Sequence, residues 1–159
     1  IFAMNKPSLT LSSEHRSILM NAYLQLTTWP DVVPALHSLH SASLRLAFLS
    51  NFTDKMLEAN VRNAGLEAMF EQVLSTDRVR TYKPDPRAYQ LGQDALRVKR
   101  QEILFVASAG WDATGATLFG YPTYWVNRQA LPAEELGARP EGCGESLIDL
   151  VHFLASRDN

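Results

Sequence analysis

Ile103-Leu104-Phe105-Val106-Ala107-Ser108-Ala109-Gly110-Trp111-Asp112-Ala113-Thr114-Gly115-Ala116 is the stretch on which the fold turns. It opens as an unbroken apolar run of strand length, breaks at Ala109-Gly110, and resumes with small residues at helical spacing. An apolar run without alternation suits a strand covered on both faces, as in a parallel sheet. Asp112 then falls in the first turn of the following helix, where the helix dipole and free backbone N–H groups favour a carboxylate. In open parallel sheets ligands bind beyond the carboxyl ends of the strands, which is where Asp112 would stand.

Working outward, similar units repeat on the N-terminal side. Leu44 to Leu49 reads as a buried strand ending at Ser50-Asn51-Phe52-Thr53-Asp54, followed by a helix carrying Leu57, Val61 and Ala64 and closing at Gly65. Phe70 to Leu74 reads as a second strand. Asp85 with Pro86 is a helix start, followed by Ala88, Leu91, Ala95 and Leu96. Beyond the central stretch, Pro122 to Val126 reads as a fourth strand and Leu147 to Leu154 as a last helix. Gly137 to Gly144 is a loop or a poorly formed edge strand. Ahead of Leu44 lie two helical patterns. One runs from a Ser12 or Ser13 cap through Ile18, Leu19, Ala22, Tyr23 and Leu26 to Trp29-Pro30. The other starts at Asp31 with Val32, Val33, Leu36 and Leu39 facing inward. Ile1 to Thr10 shows no periodicity.

Strands alternating with helices imply right-handed crossovers and an α/β fold, a three-layer Rossmann-like parallel sheet with helices on both faces. The chain has 159 residues, 46% hydrophobic, with a formal net charge of −2, enough for one core and too neutral for a nucleic-acid or membrane footprint. Its single cysteine, Cys143, excludes an internal disulfide and suits a reducing compartment, so the expected location is cytoplasmic. His37 and His40 share a helix face but lack a third ligand, which makes them surface residues. The chain opens Ile1-Phe2-Ala3, without an initiator methionine, and reads as a piece of a longer protein.

If the strands are parallel, the loops beginning at Ser50, Arg80 and Ala107 share one sheet edge. Ser50 and Asn51 then offer a hydroxyl, an amide and backbone N–H groups to an anionic ligand. Lys83 can hold a negative charge or pair with a catalytic carboxylate, and Lys83 and Asp112 would keep each other ionised. Singly, each has a plain structural role as a strand-end serine, a solvated lysine or a helix cap. Jointly, at one edge, they point to a site.

Ser50-Asn51, Lys83-Pro84-Asp85-Pro86 and Trp111-Asp112-Ala113-Thr114-Gly115-Ala116 resemble the second, third and fourth signature segments of the haloacid dehalogenase superfamily. The Trp111-Asp112 form, and Ala22-Tyr23-Leu24 leading to Trp29-Pro30-Asp31, are similar to its L-2-haloacid dehalogenase branch. The resemblance implies a hydrolase that releases halide from a short 2-haloacid through an ester on an aspartate nucleophile. That aspartate closes the family's first strand, which has no counterpart here and is expected upstream of Ile1. The 159 residues alone are therefore expected to be inactive. Residues 1–28 would end a helical cap, and residues 29–159 would form a core lacking its first strand.

The resemblance further implies that Ser50 and Asn51 hold the substrate carboxylate. Lys83 would orient the nucleophile, and Asp112 would orient Lys83 and the hydrolytic water. Trp111 would line the halogen pocket, and Ser108 is a further substrate contact. No metal or cofactor is implied. The partner is a small anionic substrate, and a homodimer is compatible with the family. Ala107 and Ala109 stand where dehalogenases often carry Ser and Asn, and Phe52 where a glycine is common, which narrows the site. Two alternatives are a Mg²⁺-dependent phosphatase of the same superfamily and a catalytically inactive scaffold. Trp111 argues against the phosphatase, which more often places an acid at that position.

Overall fold

The computed structural model describes residues 11–157, so the segment Ile1 to Thr10 lies outside the described residues. The elements run α1 (Ser13–Ala22), α2 (Val32–Ser41), β1 (Ala47–Ser50), α3 (Asp54–Asn63), β2 (Gln72–Ser75), α4 (Pro86–Leu96), β3 (Phe105–Ala107), α5 (Gly110–Phe119), β4 (Thr123–Val126), β5 (Gly142–Gly144) and α6 (Leu147–Ala155). The helix starts follow side-chain chemistry. Ser12, Thr53, Asp85 and Ser146 each accept a backbone N–H of the first turn, and Pro86 occupies the first turn of α4. Gly65, at φ +66°, sits where α3 ends, as a C′ glycine should.

All strand pairs are parallel: β1 with β2, β3 with β4, and β4 with β5. Successive residues of β4 face opposite ways. Tyr124 and Val126 join Leu36, Leu39, Val61 and Leu150, the core under α2, α3 and α6. Trp125 joins Ala113 of α5 instead. The helices thus cover both faces, giving the three-layer α/β arrangement. A second apolar cluster holds Tyr89 of α4 against Ala116 of α5 and Tyr121. No helix among the described residues is long and apolar enough to cross a membrane.

The strands form two sheets, β1-β2 and β3-β4-β5. The free edges of β1 and β3 both line one cavity of about 720 Å³, with Leu46, Phe48 and Leu49 on one side and Leu104, Phe105 and Val106 on the other. This gap corrects the expectation of a fully buried first strand. Phe48 and Val106 are each 37% exposed, and among the described residues no strand pairs with the facing edges of β1 and β3.

The N-terminal helices depart from their patterns too. α1 stops at Ala22, short of Leu26, and none of its residues is buried; Ile18, Leu19 and Met20 stay exposed. Val33 lies outward on α2, while Ala35, Leu36 and Leu39 face the core. Asp31 precedes α2 without capping it. Its carboxylate instead takes both arms of Arg128 at 3.0 and 2.9 Å and the N–H of Leu147 at 2.7 Å. It ties the start of α2 to the loop after β4 and to the start of α6. His37 and His40 are both exposed, as expected. Of the two readings left open for Gly137 to Gly144, the structure has a short edge strand at its end.

Candidate active site

β1, β2 and β3 are parallel to their neighbours, so the loops after Ser50, Ser75 and Ala107 emerge at one edge. The cavity between β1 and β3 reaches that edge, where Ser50, Lys83, Ser108 and Asp112 line it. Four of the six residues singled out in the sequence thus meet there. Asn51 is tied in through its side chain: Oδ1 accepts from the Lys83 N–H at 2.9 Å and from the Thr76 hydroxyl at 3.2 Å. Those two bonds lock the loop after β1 to the loop carrying Lys83. Trp111 stands apart. Its side chain is 45% exposed and does not line the cavity.

The centre is the Lys83–Asp112 pair, Nζ to Oδ2 at 2.5 Å, with side chains only 10% and 9% exposed. Two buried charges at that distance are tolerable only if their remaining hydrogen-bond capacity is met. The other carboxylate oxygen of Asp112 accepts from the Tyr89 hydroxyl at 2.9 Å. Lys83 also donates to the Leu49 carbonyl at 3.4 Å and lies 5.5 Å from the centroid of the Phe105 ring. A lysine ammonium carries three donors, so among the described residues one N–H is left for an acceptor in the cavity.

Tyr89 is the functional residue that the sequence reading passed over. It is fully buried on α4, and burial, followed by the negative charge of Asp112, pushes its phenol far above the usual tyrosine range. It is therefore a permanent hydrogen-bond donor to Asp112. The available signal was a tyrosine between buried positions of α4, since a buried phenol usually needs a partner.

Gly115 explains why the Asp112 segment ends in small residues. A Cβ there would lie 2.6 Å from the Tyr89 hydroxyl and 2.7 Å from the Pro84 Cβ. A glycine lets α5 approach the Lys83-Pro84 loop closely enough for the ion pair to form. Ser50 is arranged as a donor: its Oγ accepts the Phe52 N–H at 3.2 Å, which leaves its own O–H to a ligand. Among the described residues no three His, Cys, Asp or Glu side chains converge as a metal site requires.

What the arrangement can do follows from its parts. It holds a fixed cation with one open donor, a carboxylate kept in place from both sides, and a serine hydroxyl facing the same cavity. Such a set can bind and orient two anionic groups at the end of the sheet.

The family model for haloacid dehalogenase-like hydrolases matches residues 8–120. A relative named (S)-2-haloacid dehalogenase, from Pseudomonas sp. (strain YL), is 44% identical over 153 residues, covering 96% of this chain and 66% of its own. Haloacetate dehalogenase H-2 of Moraxella sp. (strain B) is 38% identical, over 97% of this chain and 69% of its own. Among solved structures, an L-2-haloacid dehalogenase superposes with a TM-score of 0.92 at 41% identity, over 97% of this chain and 68% of that one. Another, from Xanthobacter autotrophicus with chloropropionic acid covalently bound, gives 0.86 at 30% identity, over 97% of this chain and 71% of that one. The chain spans about two thirds of the length of these relatives.

Proposed function

The chain belongs to the haloacid dehalogenase-like hydrolases, and we propose that the complete protein removes halide hydrolytically from a short 2-haloacid. In this reading the nucleophile is an aspartate upstream of Ile1, at the end of a strand that fills the cavity between β1 and β3. Residues 1–28 are then the end of a helical cap, and 29–159 the core that receives this strand. The observation that carries the reading is the buried Lys83–Asp112 pair at the strand-edge end of that cavity, with one lysine N–H still open.

The chemistry divides into two displacements. A carboxylate oxygen of the aspartate bonds to C2 of the acid as the carbon–halogen bond breaks, and halide leaves with the electron pair. Water then adds to the ester carbonyl, the 2-hydroxy acid departs, and the carboxylate is restored with release of a proton. Lys83 holds the attacking carboxylate through its open N–H. Asp112, fixed by Tyr89, holds Lys83. The Ser50 hydroxyl and the Asn51 loop hold the substrate carboxylate, and Ser108 borders the same space. Relatives with dehalogenase names and a solved structure with chloropropionic acid covalently bound support this order of events.

With the upstream residues present, the enzyme should release halide from chloroacetate or 2-chloropropanoate without added divalent metal. Lys83→Ala and Asp112→Ala should each slow release about 10²–10³-fold, the loss seen when one preorganised electrostatic contact is removed. Turnover of phosphate esters alone, dependent on Mg²⁺, would replace this reading with that of a phosphatase.

A further inference from the structure

Two buried hydroxyls stand behind the site without lining its cavity. Ser75 closes β2 and Thr76 follows it, and both are fully shielded from solvent. A hydroxyl at such a position is costly unless it is hydrogen-bonded, so the acceptor of each one shows what it holds. β1 and β2 are parallel with Ser50 opposite Ser75, so the chain leaves both strands side by side and Ser75-Thr76 meets Asn51-Phe52. Ser75 Oγ donates to the Phe52 carbonyl at 2.6 Å, and the Phe52 N–H donates in turn to Ser50 Oγ at 3.2 Å. Ser75 Oγ also accepts the Asp77 N–H at 3.1 Å, which fixes the direction of its own O–H. Thr76 Oγ1 donates to Asn51 Oδ1 at 3.2 Å, the same oxygen that takes the Lys83 N–H at 2.9 Å.

Two relays therefore leave one turn. One passes from Ser75 through the Phe52 backbone to the Ser50 hydroxyl. The other passes from Thr76 through the Asn51 side chain to the backbone of Lys83. Both end on residues that line the cavity. We propose that Ser75 and Thr76 are positioning residues with separate targets: Ser75 aims the hydroxyl that receives the substrate carboxylate, and Thr76 sets the lysine that holds the attacking group. The proposal rests on the dehalogenase reading above. Each hydroxyl acts through one intermediate residue, so the loss of each should fall on a different stage of the reaction, Ser75 on binding and Thr76 on the chemical step.

The measurement is kcat and KM for 2-chloropropanoate in the enzyme with its upstream residues present. Thr76→Val keeps the shape of the side chain and removes the donor. It should lower kcat about 3–10-fold, the worth of one ordinary hydrogen bond, while KM holds. Ser75→Ala should do the reverse, raising KM by a similar factor at unchanged kcat. Thr76→Ser, which keeps the hydroxyl, should retain the wild-type kcat. A merely structural turn would move both parameters alike in both variants, or neither, and either result overturns the proposal, as does a Thr76→Ser enzyme as slow as Thr76→Val. If the wild type turns over no haloacid, the dehalogenase reading fails, and amide hydrogen exchange decides the relays by itself. Thr76→Val should speed exchange at the Lys83 N–H and not at the Phe52 N–H, and Ser75→Ala the opposite. Equal effects at both amides overturn the proposal, and so do wild-type Lys83 and Phe52 amides that exchange at open-chain rates, whether or not the variants fold.

Discussion

At the scale of single residues, the site is a chain of donors and acceptors in which Asp112 is held from both sides. Tyr89→Phe removes the donor to Asp112 Oδ1 and leaves a buried carboxylate oxygen unpaired. In the protein with its upstream residues present it should cost about 1–3 kcal/mol of stability, read as a lower urea midpoint at constant slope. Gly115→Ala should do comparable damage by a different route. Its methyl would press on Tyr89 and Pro84, and overpacking of this kind costs about 1–3 kcal/mol. A variant as stable as wild type would mean that α5 can move away without cost. Lys83 and Asp112 were legible in the sequence because each follows a strand or opens a helix at the same sheet edge. Tyr89 was not, because a helical stripe does not say which of its apolar-faced members has a hydroxyl in the site. Trp111 was placed by resemblance alone, and the structure leaves its indole at the surface.

The elements are held in register by pairings that span the sequence, and Asp31 with Arg128 ties the start of α2 to the loop after β4. Burial pushes the Asp31 carboxyl up, but the Arg128 and Leu147 hydrogen bonds outweigh this and hold it below its usual value. A depressed folded pKa means that the stabilisation is present above the unfolded value, about 4, and is lost as pH falls through the folded one. With the upstream residues present, thermal midpoints measured from pH 6 down to 2 should therefore drop below about pH 4, and Asp31→Asn should flatten that limb while lowering the plateau. A variant with the wild-type acid profile would assign the acid sensitivity to other carboxylates. Helix starts were partly legible because caps are local: Ser12 and Asp85 act as they read, while Thr53 and Ser146 cap helices whose starts were read without them. Strand lengths were not, since pairing decides where a strand ends. β1 begins at Ala47 rather than Leu44, and β3 at Phe105 rather than Ile103. Asp31 was read as a helix start, but tertiary contacts 97 and 116 residues away claim its side chain.

For the whole molecule, the parallel sheet and its two helical layers followed from alternation, whereas the gap followed from the resemblance alone, whose first strand has no counterpart in these residues. Its consequence is energetic. Among the described residues the facing edges of β1 and β3 present N–H and C=O groups without strand partners, and each such group costs about 1–3 kcal/mol if it is also denied water. Stability margins are only about 5–15 kcal/mol. The 159 residues by themselves should therefore self-associate through these edges or melt without cooperativity. Sedimentation and calorimetry test this, and a monomer with one sharp transition would be incompatible with an open gap. The same gap makes assembly and chemistry a single all-or-none event. In the proposed enzyme one inserted strand satisfies both edges and brings the attacking group to Lys83, so the grip on substrate exists before there is anything to react with it. Such a protein has no half-active form: a solution of it contains competent molecules and inert ones, and its observed rate is a head count of the former.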